Sequence, residues 1–187
     1  VEAGKKAVIA ELQPGQPGQP DSRLHVHLGQ VLSRGERMDW AIQKATELGV
    51  STITPLFSER CEVRLNDERS QKRLEHWQQI AISACEQCGR SSVPVIHPPV
   101  ALHQWLGTVE ADLKLVLHPD AASLASHQPP ERLALLIGPE GGLSDTEVSA
   151  AQATGFHAAC FGPRVLRTET APIVALSLAQ FLWGDFA

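Results

Sequence analysis

An α/β fold built on a parallel sheet is what this sequence predicts, and three observations predict it. Short apolar runs alternate with stretches of helical periodicity, the pattern of successive βαβ units. Leu133 to Ile137 (LALLI) is apolar at every position, as a strand covered on both faces requires. Directly after it come Gly138, Gly141 and Gly142, then Ser144, so a buried strand, a glycine loop and a helix follow one another. That order also describes the phosphate loops of nucleotide-binding proteins.

Taken in chain order, Lys5 to Leu12 reads as a short strand, cut off by Pro14 to Ser22 (PGQPGQPDS), which extends neither strand nor helix. Residues 1–12 are therefore expected to be the last strand of a domain lying upstream, 13–23 a linker, and 24–187 one globular domain. Leu24 to Leu32 is extended and Glu36 to Leu48 helical. In that helix Met38, Ala41, Ile42, Ala45 and Leu48 form an apolar stripe, Lys44 and Glu47 lie off it, and Gly49 is the stop. Ser51 to Leu56 is the next strand and Asp67 to Cys88 a long helix. Val93 to Ile96, Leu113 to Leu117 and Leu133 to Ile137 read as strands, with His118 and Pro119 beginning a further loop. Ser144 opens a helix, and Glu147, three residues on, completes a capping box. Ala158 to Phe161 is a last short strand. Ala171 to Trp183 is a helix so apolar that it belongs in the core or, preferably, at a subunit interface.

Composition bounds the rest. The 187 residues are 43% hydrophobic and 20% charged, enough for one core and against disorder. Neither a run of about 18 apolar residues nor a signal-peptide pattern occurs, so the expectation is a soluble, cytoplasmic protein with no membrane partner. Cys61, Cys85, Cys88 and Cys160 are too scattered for a disulfide scaffold. Cys85-x-x-Cys88 is half of a zinc or redox spacing without a second pair, and ordinary helix cysteines are the alternative. His25 and His27 share one strand face, and no metal is expected. The net charge of −5 opposes a stand-alone nucleic-acid binder. That conflict eases if Arg34, Arg37, Lys44, Arg60, Arg64, Arg69, Lys72, Arg73 and Arg90 gather on one side.

The glycines after Ile137 let the backbone approach a ligand closely, and Glu140 is the one charge offered there. The loop ends in neither Gly-Lys-Ser/Thr nor G-x-G-x-x-G, so it is not a phosphate loop of either common kind, and a purely structural turn stays open. Phe161 to Pro172 repeats the design: an apolar stretch, Gly162-Pro163, Arg164 and Arg167, then Thr168, Glu169 and Thr170 before the apolar helix. Two such loops side by side make a pocket.

GPEGGLS at Gly138 to Ser144, with GPRVLRTETA at Gly162 to Ala171, resembles the SPOUT-class methyltransferases that modify N3 of a uridine in small-subunit rRNA. The resemblance extends through Leu24 to Val50, Pro55 to Cys61 (PLFSERC) and Ala84 to Arg90 (ACEQCGR). It implies a parallel-sheet SPOUT methyltransferase domain with a C-terminal deep trefoil knot, one of the rare exceptions to unknotted topology. It further implies a preceding PUA-like RNA-binding domain, a homodimer, and 16S rRNA or the assembled small ribosomal subunit as substrate. The implied cofactor, S-adenosylmethionine, would be held by Leu117, His118, Ile137, Gly138, Gly141, Gly142, Gly162, Leu166, Arg167, Thr168 and Ala171.

Methyl transfer from a sulfonium is an in-line displacement that rests on positioning and electrostatics, so no nucleophilic cysteine is needed. Under the resemblance, Arg90 would stabilise the N3-deprotonated base and Glu86 or Glu140 would help remove the proton. Glu86 and Arg90, four apart on one helix, also read as a surface salt bridge. Arg34, Lys44, Arg60 and Arg164 are the expected RNA contacts, and Glu169 is expected to order its loop through backbone N–H groups, a purely structural and a catalytic role for it both staying open. Two other readings stay open: a related methyltransferase acting on another RNA or a ribose 2′-hydroxyl, and a non-catalytic RNA or nucleotide binder.

Overall fold

A computed structural model describes residues 2–3, 8–9, 20–123 and 127–186, with side chains not described for 2–3, 8–9 and 119–123. Two short strands, β1 (Glu2–Ala3) and β2 (Val8–Ile9), pair antiparallel. β2 is part of the strand expected at Lys5 to Leu12; the rest of that segment and most of the expected linker lie outside the described residues.

Seven strands form the main sheet: β3 (His25–Val31), β4 (Thr52–Phe57), β5 (Val95–Ile96), β6 (Val100–Ala101), β7 (Leu113–Ser123), β8 (Arg132–Ile137) and β9 (Phe156–Cys160). Their order is β5-β4-β3-β8-β7-β9, with β6 also on β4, and every pairing is parallel. Between them run α1 (Arg37–Glu47), α2 (Asp67–Cys88), α3 (Leu102–Thr108), α4 (Asp145–Ala153) and α5 (Thr170–Trp183). α1 packs on α2 and α5, and α3 packs on α4. Leu133 to Ile137 are all buried, which an apolar strand achieves only with cover on both faces.

Local chemistry sets the boundaries. Asn66 caps α2 by accepting from the Arg69 N–H, and Gly89 ends it in the left-handed conformation. Ser144 and Glu147 form the expected capping box on α4. Gln180 is the polar exception in apolar α5: it is buried, donates to the carbonyls of Leu48 and Gly49, and accepts from the Ser22 hydroxyl. One face of α5 thus faces the core, while Leu178, Phe181 and Leu182 remain exposed.

Two expectations change. β6 and α3, at residues 100–108, fall where no element was foreseen; α3 is short, but Trp105 anchors it by packing over Gly29 and donating from its indole N–H to His27 Nε2 at 3.2 Å. And β7 does not stop at Leu117: it continues to Ser123 through a register irregularity against β9 between Leu117 and Ala122.

Candidate active site

The carboxyl ends of β8 and β9, together with β7 at its irregularity after Leu117, open on a cavity of about 570 Å³. Parallel sheets present ligands in this position because the loops leaving the strand ends are free to vary while the sheet holds them rigidly. Leu117 and His118 supply one wall and Ile137 to Glu140 with Gly142 and Leu143 a second; the third is the run from Ala159 through Glu169, with Ala171. Ten of the eleven residues expected at a small-molecule site line it: Leu117, His118, Ile137, Gly138, Gly142, Gly162, Leu166, Arg167, Thr168 and Ala171.

Gly141 is the exception. Arg60 crosses the outside of the loop there and donates to the carbonyls of Gly141 (3.1 Å) and Leu143 (3.3 Å). Arg60, an exposed residue expected as an RNA contact, is therefore also a prop of the glycine loop. Glu147 ties the same neighbourhood together, accepting from the N–H groups of Glu59 and Ser144. The PLFSERC segment is thus scaffolding for GPEGG. Within the loop, Gly142 has φ of +70°, and Gly162 in the facing loop +102°, conformations that L side chains rarely adopt.

The two loops are joined through Thr168. Its buried hydroxyl donates to the Gly138 carbonyl at 2.8 Å and accepts from Gln30 Nε2 at 3.1 Å, so β3, the glycine loop and the C-terminal loop share one polar chain. Gln30, buried at the end of the central strand, is a functional residue that sequence reading passed over; an amide in the apolar run Val26 to Val31 was the available signal.

Arg37 is the other omission. Its Nη1 donates to Glu140 Oε1 at 2.7 Å, and its Nε lies 3.8 Å from Glu169 Oε2. Burial acts to raise the pKa of Glu140, but its own backbone N–H, that of Arg34, and the Arg37 guanidinium outweigh it and hold the carboxyl below the usual carboxylate range. A carboxylate stabilised in this way is a weaker proton acceptor than a free one, and Glu140 anchors Arg37. Glu169 heads α5 without a side-chain cap hydrogen bond, so the expected ordering of the loop by its carboxylate is not observed. Its Oε2 is buried without a hydrogen-bond partner.

The remaining expectations divide. Arg164 lines the cavity and is exposed. Arg34 pairs with Glu62 at 2.6 Å, and Lys44 pairs with Glu47 at 2.7 Å while lying over the Trp40 ring. Arg90 and Glu86 do not line the cavity and do not pair with each other. Arg90 donates to the carbonyls of Thr46 and Val50 at the end of α1 and meets Asp21 at 3.4 Å, while Glu86 points to solvent. The free carbonyls at a helix end attract a cation, and in this fold they draw the guanidinium away from Glu86. Cys85 is buried, and burial foremost pushes its thiol up, the opposite of an activated redox cysteine. Among the described residues no group of His, Cys, Asp and Glu could hold a metal ion, and no helix is long and apolar enough to cross a membrane.

The same framework recurs in known proteins. The ribosomal RNA small subunit methyltransferase E of Buchnera aphidicola subsp. Schizaphis graminum is 43% identical over 171 residues, covering 89% of this chain and 69% of the relative. That of Bacillus subtilis is 32% identical over 169 residues, covering 84% and 66%. Among solved structures, a Legionella pneumophila putative methyltransferase in complex with S-adenosylmethionine superposes with a TM-score of 0.87 at 46% identity, covering 89% of this chain and 69% of that one. A Neisseria gonorrhoeae ribosomal RNA small subunit methyltransferase E bound to the same cofactor gives 0.85 at 42% identity, covering 90% and 70%. The chain thus spans about two thirds of the length of these relatives. The family model for the RNA methyltransferase domain matches residues 20–180, and with relatives of this similarity the chain belongs to that family.

Proposed function

We propose that this chain carries the methyltransferase domain of an enzyme that transfers a methyl group from S-adenosylmethionine to N3 of an unpaired uridine in 16S rRNA. The observation that carries the reading is the cavity where three parallel strands and both glycine-bearing loops meet. Its character suits the cofactor: a narrow cradle of backbone and apolar side chains for an adenosine, with carboxylates and an arginine at one end for the charged part. Bound there, the cofactor supplies an activated methyl group on a sulfonium.

The chain's own residues supply position. Thr168 and Gln30 fix the spacing of the two loops, Gly142 and Gly162 let backbone approach the ligand, and Arg37 is set between Glu140 and Glu169 at the cavity rim. The N3 edge of a uracil faces its pairing partner in a helix, so the target must be unpaired or turned out of the stack. The reading includes a trefoil knot in the C-terminal segment, a PUA-like domain upstream, a cytoplasmic location and a homodimer. The exposed Leu178, Phe181 and Leu182 of α5 support the last of these.

Calorimetric titration with S-adenosylmethionine tests the pocket. The wild type is expected to bind. Gly142→Val, which forces a β-branched residue to positive φ beside the cavity, is expected to bind more than tenfold more weakly while still folded by circular dichroism. A folded wild type that does not bind refutes the assignment. Nucleoside analysis of methylated rRNA then separates N3 of uridine from a ribose 2′-hydroxyl, and an absence of any methylated product favours a binder without chemistry.

A further inference from the structure

Next to the cavity, an open cleft of about 760 Å³ runs along the start of α1, lined by Arg34, Glu36, Arg37, Trp40, Glu169 and Thr170. Two of these, Arg37 and Glu169, line the first cavity as well, so they stand at the boundary between the two spaces. The acceptor nitrogen of an in-line transfer has to touch the methyl carbon, so an acceptor seated in the cleft has to reach the cavity past Arg37 and Glu169. Trp40 is 50% exposed although it is the largest side chain of α1, and Lys44 Nζ stands 5.1 Å over its ring centroid. A half-exposed indole beside a cation is a surface on which unpaired bases stack, because every base offers a π-face.

Glu169 supplies the second, independent observation. Its side chain is 19% exposed, it caps no helix N–H, and its Oε2 has no hydrogen-bond partner, with Arg37 Nε at 3.8 Å too far for one. A mostly buried carboxylate with an unsatisfied oxygen is costly unless something else completes it. The other carboxylate of the first cavity, Glu140, is already engaged by the Arg34 N–H and by Arg37.

We propose that this cleft seats the base that receives the methyl group, with Trp40 as its stacking face and Glu169 as the acceptor of its ring N–H proton. The proposal rests on the methyl-transfer reading above and adds the acceptor's place to it. The ring N–H proton passes to a Glu169 carboxylate oxygen, and the electron pair left on nitrogen forms the new nitrogen–carbon bond. The carbon–sulfur bond breaks, its electrons staying on sulfur, which departs as a neutral thioether. Arg37 is the positioning residue that keeps the Glu169 carboxylate at the wall.

The test uses the full-length enzyme, single-stranded oligouridylate and rRNA, with Trp40→Ala, Trp40→Phe and Glu169→Gln. Oligouridylate without cofactor should quench tryptophan emission in the wild type. Trp40→Phe should lose that quenching yet keep its calorimetric affinity, and Trp40→Ala should lose about tenfold in affinity and raise KM for rRNA about tenfold. Glu169→Gln should lower kcat more than tenfold at neutral pH with KM nearly unchanged. That deficit should shrink as alkaline pH ionises the ring N–H in solution.

A Glu169→Gln deficit that is flat with pH overturns the proton role. Unchanged oligouridylate affinity in Trp40→Ala, or conversion of that variant to monomer by light scattering with affinity per site intact, overturns the cleft assignment and gives Trp40 to an interface between copies. Failure of the methyl-transfer reading is distinguishable, since it shows as a wild type that neither binds S-adenosylmethionine nor methylates rRNA.

Discussion

Thr168→Val tests whether one hydroxyl holds the active site together. The substitution keeps shape and volume but removes the group that donates to the Gly138 carbonyl at 2.8 Å and accepts from Gln30 Nε2 at 3.1 Å, at a residue 5% exposed. Each lost hydrogen bond is worth about 1 kcal/mol, and a buried carbonyl left without its donor adds a penalty of about 1–3 kcal/mol. The Gln30 amide retains its bond to the Val31 carbonyl, which limits the cost on that side. A total of about 2–4 kcal/mol results, and at about 3 °C per kcal/mol for a chain of this size the melting temperature should fall by roughly 6–12 °C. Because the chain joins both loops of the cavity, S-adenosylmethionine affinity should fall with it. Thr168→Ser retains the hydroxyl and should lose only about 1 kcal/mol, the cost of a methylene. Thermal unfolding of the three proteins, with calorimetric titration of each, decides the matter. A Thr168→Val protein that melts within about 1 °C of wild type and binds the cofactor equally would refute the claim that this hydroxyl couples the loops.

Ser144→Ala removes the capping box of α4, whose serine accepts from the Glu147 N–H at 3.3 Å, and should cost about 1 kcal/mol, read as a melting temperature about 3 °C lower. His27 provides a pH dependence. Burial, then the neighbouring His97, lowers its pKa from 6.5 to about 4. Since the unfolded chain takes up the proton first, stability is complete above about pH 6.5 and declines as the pH falls towards 4, by up to about 3 kcal/mol. The neutral ring accepts the Trp105 N–H at Nε2, the atom that protonation would occupy. Melting temperatures at pH 7.5 and 4.5 should therefore differ more for wild type than for His27→Gln, and equal slopes would count against a buried neutral His27.

How much of this was legible in the sequence depended on whether a feature is local. The strand at Leu133 to Ile137, the capping box at Ser144 and the long helix from Asp67 to Cys88 each carry their signal within a few residues, and all three stand where the pattern put them. The two loops were legible for the same reason, since glycine and proline punctuate the chain directly. Arginine contacts were not. Arg60, Arg90 and Arg164 look alike in sequence, yet the first holds loop carbonyls, the second clasps the end of α1, and the third is exposed at the cavity. Their partners lie 81 and 44 residues away for the first two, a separation that no periodicity encodes. α3 was missed because seven residues, one of them Gly107, carry little intrinsic helical signal; the buried Trp105 decides the matter through tertiary packing.

The acidic residues show the same dependence with greater consequence for chemistry. The family resemblance implied Glu86 or Glu140 as the base, one near an arginine in sequence and the other the single charge in the glycine loop. Proximity to a cation, however, is what makes a carboxylate a poor base: each favourable contact with the ionised form lowers the proton affinity on which the chemistry depends. Glu140 has two such contacts from Arg34 and Arg37, while Glu86 faces solvent away from the cavity. Of the two carboxylates on the cavity wall, Glu169 has a buried oxygen without a hydrogen-bond partner, while Glu140 is engaged from two sides. The arginine between them lets both stand there: Arg37 engages Glu140 at 2.7 Å and Glu169 at 3.8 Å, so one guanidinium balances two carboxylates on the same wall.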